Sequence, residues 1–160
     1  MIVRQLFDAT SSTFTYLVGD PVTKQAVLID TVLGQHARDL ALVRELGLTL
    51  THTLETHVHA DHVTGAWVLK QLAGSRIVAS KRSGAEGIDV PVDDGDVLRI
   101  GGISLEVRAT PGHTDGCVTY VTGDHAAAFT GDALLIRAAG RTDFQQGSAE
   151  RLFRSITERL

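Results

Sequence analysis

Short blocks of alternating apolar and polar residues run through the chain, broken by glycine, proline and aspartate, and they predict strands interleaved with a few helices. Met1 to Phe7 leads directly into alternating, strand-like sequence. Residues 13–19 and 25–29 read as strands on either side of the turn-forming Gly19-Asp20-Pro21, which makes a hairpin. Between 35 and 46 the period changes: Ala37, Leu40, Ala41, Val43 and Leu46 fall on one helical face, and Gly47 stops it. A short strand over 49–55 follows, then a helix over 64–72 and a strand over 76–80. The turn Asp93-Asp94-Gly95-Asp96 leads into strands 97–100 and 103–109, joined at Gly101-Gly102, and strands 118–122 and 126–129 complete a second group. The segment 149–160 has Leu152, Phe153, Ile156 and Leu160 at helical spacing, with Ser148 as its N-cap. Strands mostly in hairpins, with helices between them, argue for a layered α/β sandwich rather than a doubly wound sheet.

The polar positions that break this pattern carry the chemistry. His57-Val58-His59-Ala60-Asp61-His62 packs three imidazoles and a carboxylate into six positions, a donor set suited to zinc or iron. It follows directly on a predicted strand. So does His113, in Thr110-Pro111-Gly112-His113 after strand 103–109, and so does Asp132, two residues beyond Thr130 at the end of strand 126–129. Three loops beyond the carboxyl ends of strands, on one end of a sheet, would converge on one metal site. On the residues alone His57, His113 and Asp132 are ligands, while His59, Asp61 and His62 are either ligands, with a second metal site among them, or the hydrogen-bond partners that ligating histidines need. His36, His52 and His125 lie in a helix start, a strand and a turn, and read as structural or solvated. Cys117, at a strand entrance, reads as a small buried residue.

Composition narrows the partners. The 160 residues suffice for one domain with a real core, spanning 1–160. Fifteen basic and nineteen acidic residues give a formal charge of −4 without any basic block, which argues against nucleic acid. No stretch has the length of a membrane span, and a single cysteine fits a reducing compartment, so the expected location is the cytoplasm.

Thr56-His57-Val58-His59-Ala60-Asp61-His62, Pro111-Gly112-His113-Thr114 and Thr130-Gly131-Asp132 together resemble the metallo-β-lactamase-fold superfamily. Within it, the run 129–137 followed by Gly140-Arg141-Thr142-Asp143-Phe144-Gln145-Gln146-Gly147 is similar to the persulfide dioxygenases, as are Thr15-Tyr16-Leu17 and Val27-Leu28-Ile29-Asp30. The resemblance implies an αββα sandwich, lacking its last strands and helices and so incomplete at the C-terminus. It implies a mononuclear, non-haem Fe(II) enzyme, one iron per chain, with zinc an alternative occupant in recombinant material. Such enzymes oxidise glutathione persulfide with O2 to sulfite and glutathione in sulfide detoxification. The iron ligands carry over to His57, His113 and Asp132, with His59 outside the ligand set; two histidines and one carboxylate leave open positions for substrate and oxygen. Arg141, Arg137 and Thr114 are candidates for holding the glutathione carboxylates, Arg141 against a local pair with Asp143. One departure from the family pattern is Ala138-Ala139, where many members carry Gly-Cys.

Two other readings stand beside this one. A hydroxyacylglutathione hydrolase of the glyoxalase II type would use the same first motif to hold two metals and would cleave a thioester with metal-bound hydroxide. Residues 133–160 contain no histidine to complete such a second site, which favours the single-metal enzyme. The third reading is a non-catalytic metal-binding fragment, associating as a homodimer over uncovered sheet edges and apolar faces.

Overall fold

In a computed structural model that describes residues 1–160, ten strands form two sheets. The first opens as an antiparallel meander of β1 (Ile2–Asp8), β2 (Thr13–Gly19) and β3 (Gln25–Ile29). It continues in parallel: α1 (His36–Glu45) crosses over to β4 (Thr49–Leu54), α2 (Ala66–Ala73) to β5 (Arg76–Ser80), and β6 (Val90–Val92) closes the far edge. The second sheet is antiparallel, with β7 (Val97–Ile100), β8 (Ile103–Ala109), β9 (Val118–Thr122) and β10 (Ala128–Phe129) lying in the order β10-β9-β8-β7. A last helix, α3 (Ala149–Arg154), runs on into a π-helical turn, Ser155–Arg159.

Strand alternation explains the layers. In β2 and β3, Val18, Val27 and Ile29 face the second sheet and pack with Leu54, Val78, Leu105, Val107, Tyr120 and Phe129. Their neighbours Leu17, Ala26 and Leu28 face the other way, against Leu40 and Val43 of α1 and Leu69 of α2. A strand buried on both faces reads as a continuous apolar run, which is what Ala26–Ile29 is. The C-terminal segment lies along β8, with Arg108 donating to the Arg159 carbonyl, so the order of layers is α/β/β/α as expected.

The departures from the sequence reading are local. Half of the first sheet is parallel, because the crossovers through α1 and α2 replace hairpins there. β1 and β6 were not predicted as elements: both are edge strands, β1 broken by Arg4 and Gln5, β6 only three residues long around Pro91, which an edge tolerates. The predicted strand 126–129 shrinks to two residues because Thr122 and Ala127 close a turn, with His125 at φ 55°. In the last helix Ser148 caps as expected, accepting from the Arg151 N–H, yet Phe153 is exposed. The buried face runs through Leu152 and Ser155 instead, and Ser155 donates to the Pro111 carbonyl at 2.7 Å.

Candidate metal centre

The three predicted loops do converge. They leave the carboxyl ends of β4, β8 and β10, and bring ligand atoms of His57, His113 and Asp132 within 4.8 Å of one another. The His57 and His113 rings stand nearly perpendicular, 4.9 Å apart, and His113 Nε2 lies 3.5 Å from Asp132 Oδ2.

Hydrogen bonding fixes which nitrogen each imidazole offers. His113 Nδ1 lies 2.8 Å from the carbonyl of Arg141; a carbonyl only accepts, so Nδ1 carries the proton and Nε2 a lone pair. Thr56 spends its one hydroxyl proton on Asp30 Oδ2, at 2.8 Å, so toward His57 Nδ1, 3.0 Å away, it accepts, and His57 Nε2 is left with a lone pair too. Two bare nitrogens and a carboxylate oxygen face one another with nothing positive between them, an arrangement that a divalent cation completes. The donor set and its tautomers therefore fit the iron or zinc expected from the sequence.

Close approach of the loops requires glycine at two places. Gly131 sits at φ +49°, and a Cβ there would come within 2.2 Å of Thr56 Oγ1. At Gly140 a Cβ would lie 2.3 Å from the Asp132 carbonyl, which accepts the Gly140 N–H. These contacts bring the 130–141 segment against both histidines.

Behind the ligand set lies a buried polar cage that the sequence reading missed. Asp30, fully buried at the end of β3 with φ 53°, accepts from the Thr56 N–H, the Thr56 hydroxyl and His59 Nε2 at 2.8, 2.8 and 3.2 Å. Glu55 Oε2 lies 3.6 Å from the same His59 nitrogen, and Glu55 Oε1 accepts from Thr64. The available signal was an acidic residue closing each of two apolar strands. His59 thus points one nitrogen into the cage and packs its ring, tilted by 49°, 4.0 Å from that of His57. Burial pushes His57 down to about 3, from an ordinary 6.5. Burial alone would lower His59 as well, but the hydrogen bond to Asp30 and the charges of Asp30, Glu55 and Asp61 raise it to about 9. Burial, with the Asp30 charge, raises Glu55 to about 8.

The sign of the resulting pH dependence follows. Between pH 6.5 and 9 the folded chain holds protons on His59, and up to 8 on Glu55, that the unfolded chain releases, so raising the pH removes stability. After chelation, the melting temperature should fall as pH rises from 6.5 to 9, measured by scanning calorimetry; a flat or rising profile would contradict the cage.

The remaining predicted residues are placed as follows. Asp61 is exposed and only the side chain of His62 is buried; Asp61 Oδ2 lies 3.1 Å from His62 Nδ1. Arg141 is exposed, its guanidinium bidentate on Asp143 at 2.8 and 3.0 Å and 5.6 Å above the Phe144 ring. Arg137 is exposed at the tip of a turn closed by Leu135 and Ala138, at φ 61°. Thr114 is buried, its hydroxyl 3.1 Å from Cys117 Sγ, so that it braces the His113 loop. His36, His52 and His125 belong to none of the three groups of potential ligands. A cleft of about 540 Å³ opens beside the ligands, with His57, Asp61 and Asp132 at its base, the β1–β2 turn on one side and Leu134 to Ile136 on the other.

A layered α/β/β/α fold with this loop-borne ligand set defines a class, and the family model described as the Metallo-beta-lactamase superfamily matches residues 9–160. The chain belongs to that superfamily. Within it, the chain is 53% identical over 161 residues to "Persulfide dioxygenase ETHE1, mitochondrial" of Homo sapiens, covering 100% of this chain and 63% of that protein. The crystal structure of ETHE1 from Myxococcus xanthus matches with a TM-score of 0.96 at 54% identity, over 100% of this chain and 70% of that one. A hydroxyacylglutathione hydrolase of Mesorhizobium japonicum is 40% identical over 137 residues, covering 84% of this chain and 53% of that protein. The chain spans less than two thirds of the length of the mammalian dioxygenases it matches. No helix is long and apolar enough to cross a membrane.

Proposed function

We propose that this chain carries the metal centre of a persulfide dioxygenase, which holds one Fe(II) on His57, His113 and Asp132 and oxidises glutathione persulfide with O2 to sulfite and glutathione. The observation that carries the reading is the set of three ligand atoms, His57, His113 and Asp132, brought within 4.8 Å from three different loops, with two imidazole tautomers fixed by their neighbours. Likeness to the persulfide dioxygenases over the whole of this chain supports the substrate. His57, His113 and Asp132 would hold the iron(II), which when bound would supply the electron chemistry that O2 requires.

The reaction balances as persulfide plus O2 plus one water giving thiol, sulfite and two protons. The chain's own part is to orient the ligands, through Asp30, Thr56 and the Arg141 carbonyl, and to receive the persulfide in the cleft above His57 and Asp132. His59, held protonated by its carboxylate cage, places positive charge at the cleft floor, where an anionic sulfur benefits from it. Arg141 and Arg137, exposed on the segment that follows Asp132, are the candidate partners for the peptide carboxylates. Arg141 need only exchange an exposed pair with Asp143, worth about 0–1 kcal/mol, for a substrate carboxylate. Cys117, buried and unpaired, suits the reducing cytoplasm in which we place this reaction.

The hydrolase reading draws on the second ligand group, His59, Asp61 and His62. One experiment separates the two: anaerobic loading with Fe(II), then oxygen uptake and sulfite production with glutathione persulfide, alongside S-lactoylglutathione cleavage. Oxygen consumed in step with sulfite formed is the expected result. Thioester cleavage without oxygen uptake would establish the hydrolase, and metal binding without either activity a non-catalytic fragment.

A further inference from the structure

We propose that Ser155, at the end of α3, is a positioning residue for His113, so that metal binding and the docking of α3 strengthen each other. This rests on the reading of His57, His113 and Asp132 as the set that holds the ion.

The C-terminal segment buries two side chains, Leu152 and Ser155. Leu152 belongs to neither of the apolar clusters that pack the two sheets. What both residues meet is the loop that carries His113. Gly112 runs so close to Leu152 that a Cβ on it would come within 2.3 Å of the Leu152 nitrogen, and its φ of +140° asks for glycine as well. Ser155 donates its hydroxyl to the Pro111 carbonyl at 2.7 Å, and the N–H of Ser148, the cap of α3, donates to the Gly112 carbonyl at 2.8 Å. Arg151 adds an ion pair with Asp115, on the other side of His113. The two carbonyls that precede His113 are therefore both held by α3 and its cap.

A serine inside a helix commonly returns its proton to a carbonyl one turn back; the Ser155 hydroxyl instead reaches out of the helix to the loop. That choice has a consequence for the metal centre. The peptide planes at 111 and 112 set where the His113 backbone sits and in which direction its side chain leaves, and a ligand has to be held to within about 0.5 Å of its working position. The Arg141 carbonyl fixes the ring's tautomer, while α3 fixes the main chain from which the ring hangs. The dependence runs both ways. The other ties of the C-terminal segment, the Arg108 bond to the Arg159 carbonyl and the Arg159 pair with Asp94, are exposed, so its docking leans on the His113 loop. A helix that holds His113 ready for an ion is, by the reciprocity of linked equilibria, held more firmly once the ion is bound.

Zinc affinity tests the idea, measured by competition with a chromophoric chelator. Ser155→Ala should bind Zn(II) about 10-fold more weakly than wild type with its circular dichroism unchanged. Glu150→Ala removes an exposed pair with Arg154 on the same helix, away from the loop, and should keep wild-type affinity. In ¹⁵N-histidine NMR of the metal-free protein, Ser155→Ala should shift the His113 ring signals and leave those of His36 and His52 in place. A measurement on wild type alone guards against a variant that fails to fold: amide hydrogen exchange over residues 151–159 should slow several-fold when zinc is added. Wild-type affinity in a folded Ser155→Ala, an equal loss in Glu150→Ala, or exchange in α3 indifferent to zinc would overturn the proposal. The two readings fail separately. Unweakened zinc binding by His113→Ala would take His113 out of the metal centre, whereas zinc lost in His113→Ala and fully kept in Ser155→Ala would defeat the coupling alone. Neither result depends on oxygen uptake.

Discussion

Asp132→Ala should yield a folded protein with unchanged circular dichroism, at least 100-fold weaker metal binding and no detectable oxygen uptake. The size follows by comparison: removing a partner that merely orients a ligand costs roughly 10–100-fold in metal affinity, and in the proposed centre Asp132 is itself one of three ligands, the only anionic one. Without it, two neutral imidazoles would have to hold a divalent ion on their own. Stability should change little, because Asp132 is half-exposed and burial already raises its carboxyl above the ordinary range, so the ion-free fold gains little from its charge. Elemental analysis of the purified variant and a metal-competition titration read the effect. Wild-type metal content in Asp132→Ala would remove it from the site.

Asp30→Ala should be the most damaging single change to the fold around the site. Its carboxylate is fully buried and accepts from the Thr56 N–H, the Thr56 hydroxyl and His59, all of which would lose their partner inside the protein. Breaking one side of such a buried charged cluster typically costs about 3–5 kcal/mol. The left-handed backbone at φ 53° adds to this, since aspartate tolerates that region better than alanine. For a chain of this size each kcal/mol lowers the melting temperature by about 2–4 °C, so a drop of roughly 6–20 °C is expected in a thermal melt. Metal affinity should fall roughly 10–100-fold as well, because Thr56 would no longer be committed to accepting the His57 Nδ1 proton. A melting temperature within about 3 °C of wild type would mean that water replaces the carboxylate, and that the cage matters less than its geometry implies.

What sequence could reveal here depended on how far apart the cooperating residues lie. His57, His113 and Asp132 were legible because each follows a strand whose apolar period is clear, so topology alone gathers them. Asp30 and Glu55 were not, since a lone acid after an apolar strand looks like ordinary turn chemistry until the parallel pairing of β3 and β4 sets the two strand ends side by side. Thr13 was harder still: its hydroxyl donates to Asp61 Oδ2 at 3.1 Å, in a loop 48 residues away, and only three-dimensional register joins them. In the fold, the strong periodicities of β2 and β3 held, and α1 formed where expected but buries Asp39 with Leu40 and Val43 while Ala37 and Ala41 of its predicted face are exposed; the short edge strand β6 and the phase of α3 escaped. Pro91 disguised the first, and for the second the contacts of Leu152 and Ser155 with the His113 loop override the apolar stripe that includes Phe153.

The acceptor that orients His113 is a main-chain oxygen, and this separates two duties that meet at position 141. Any amino acid there presents the same carbonyl to the imidazole, so the side chain can be exchanged without disturbing how the histidine meets the metal. Descendants of this scaffold are free to vary the side chain at that position while the presentation of the imidazole beneath it stays as inherited.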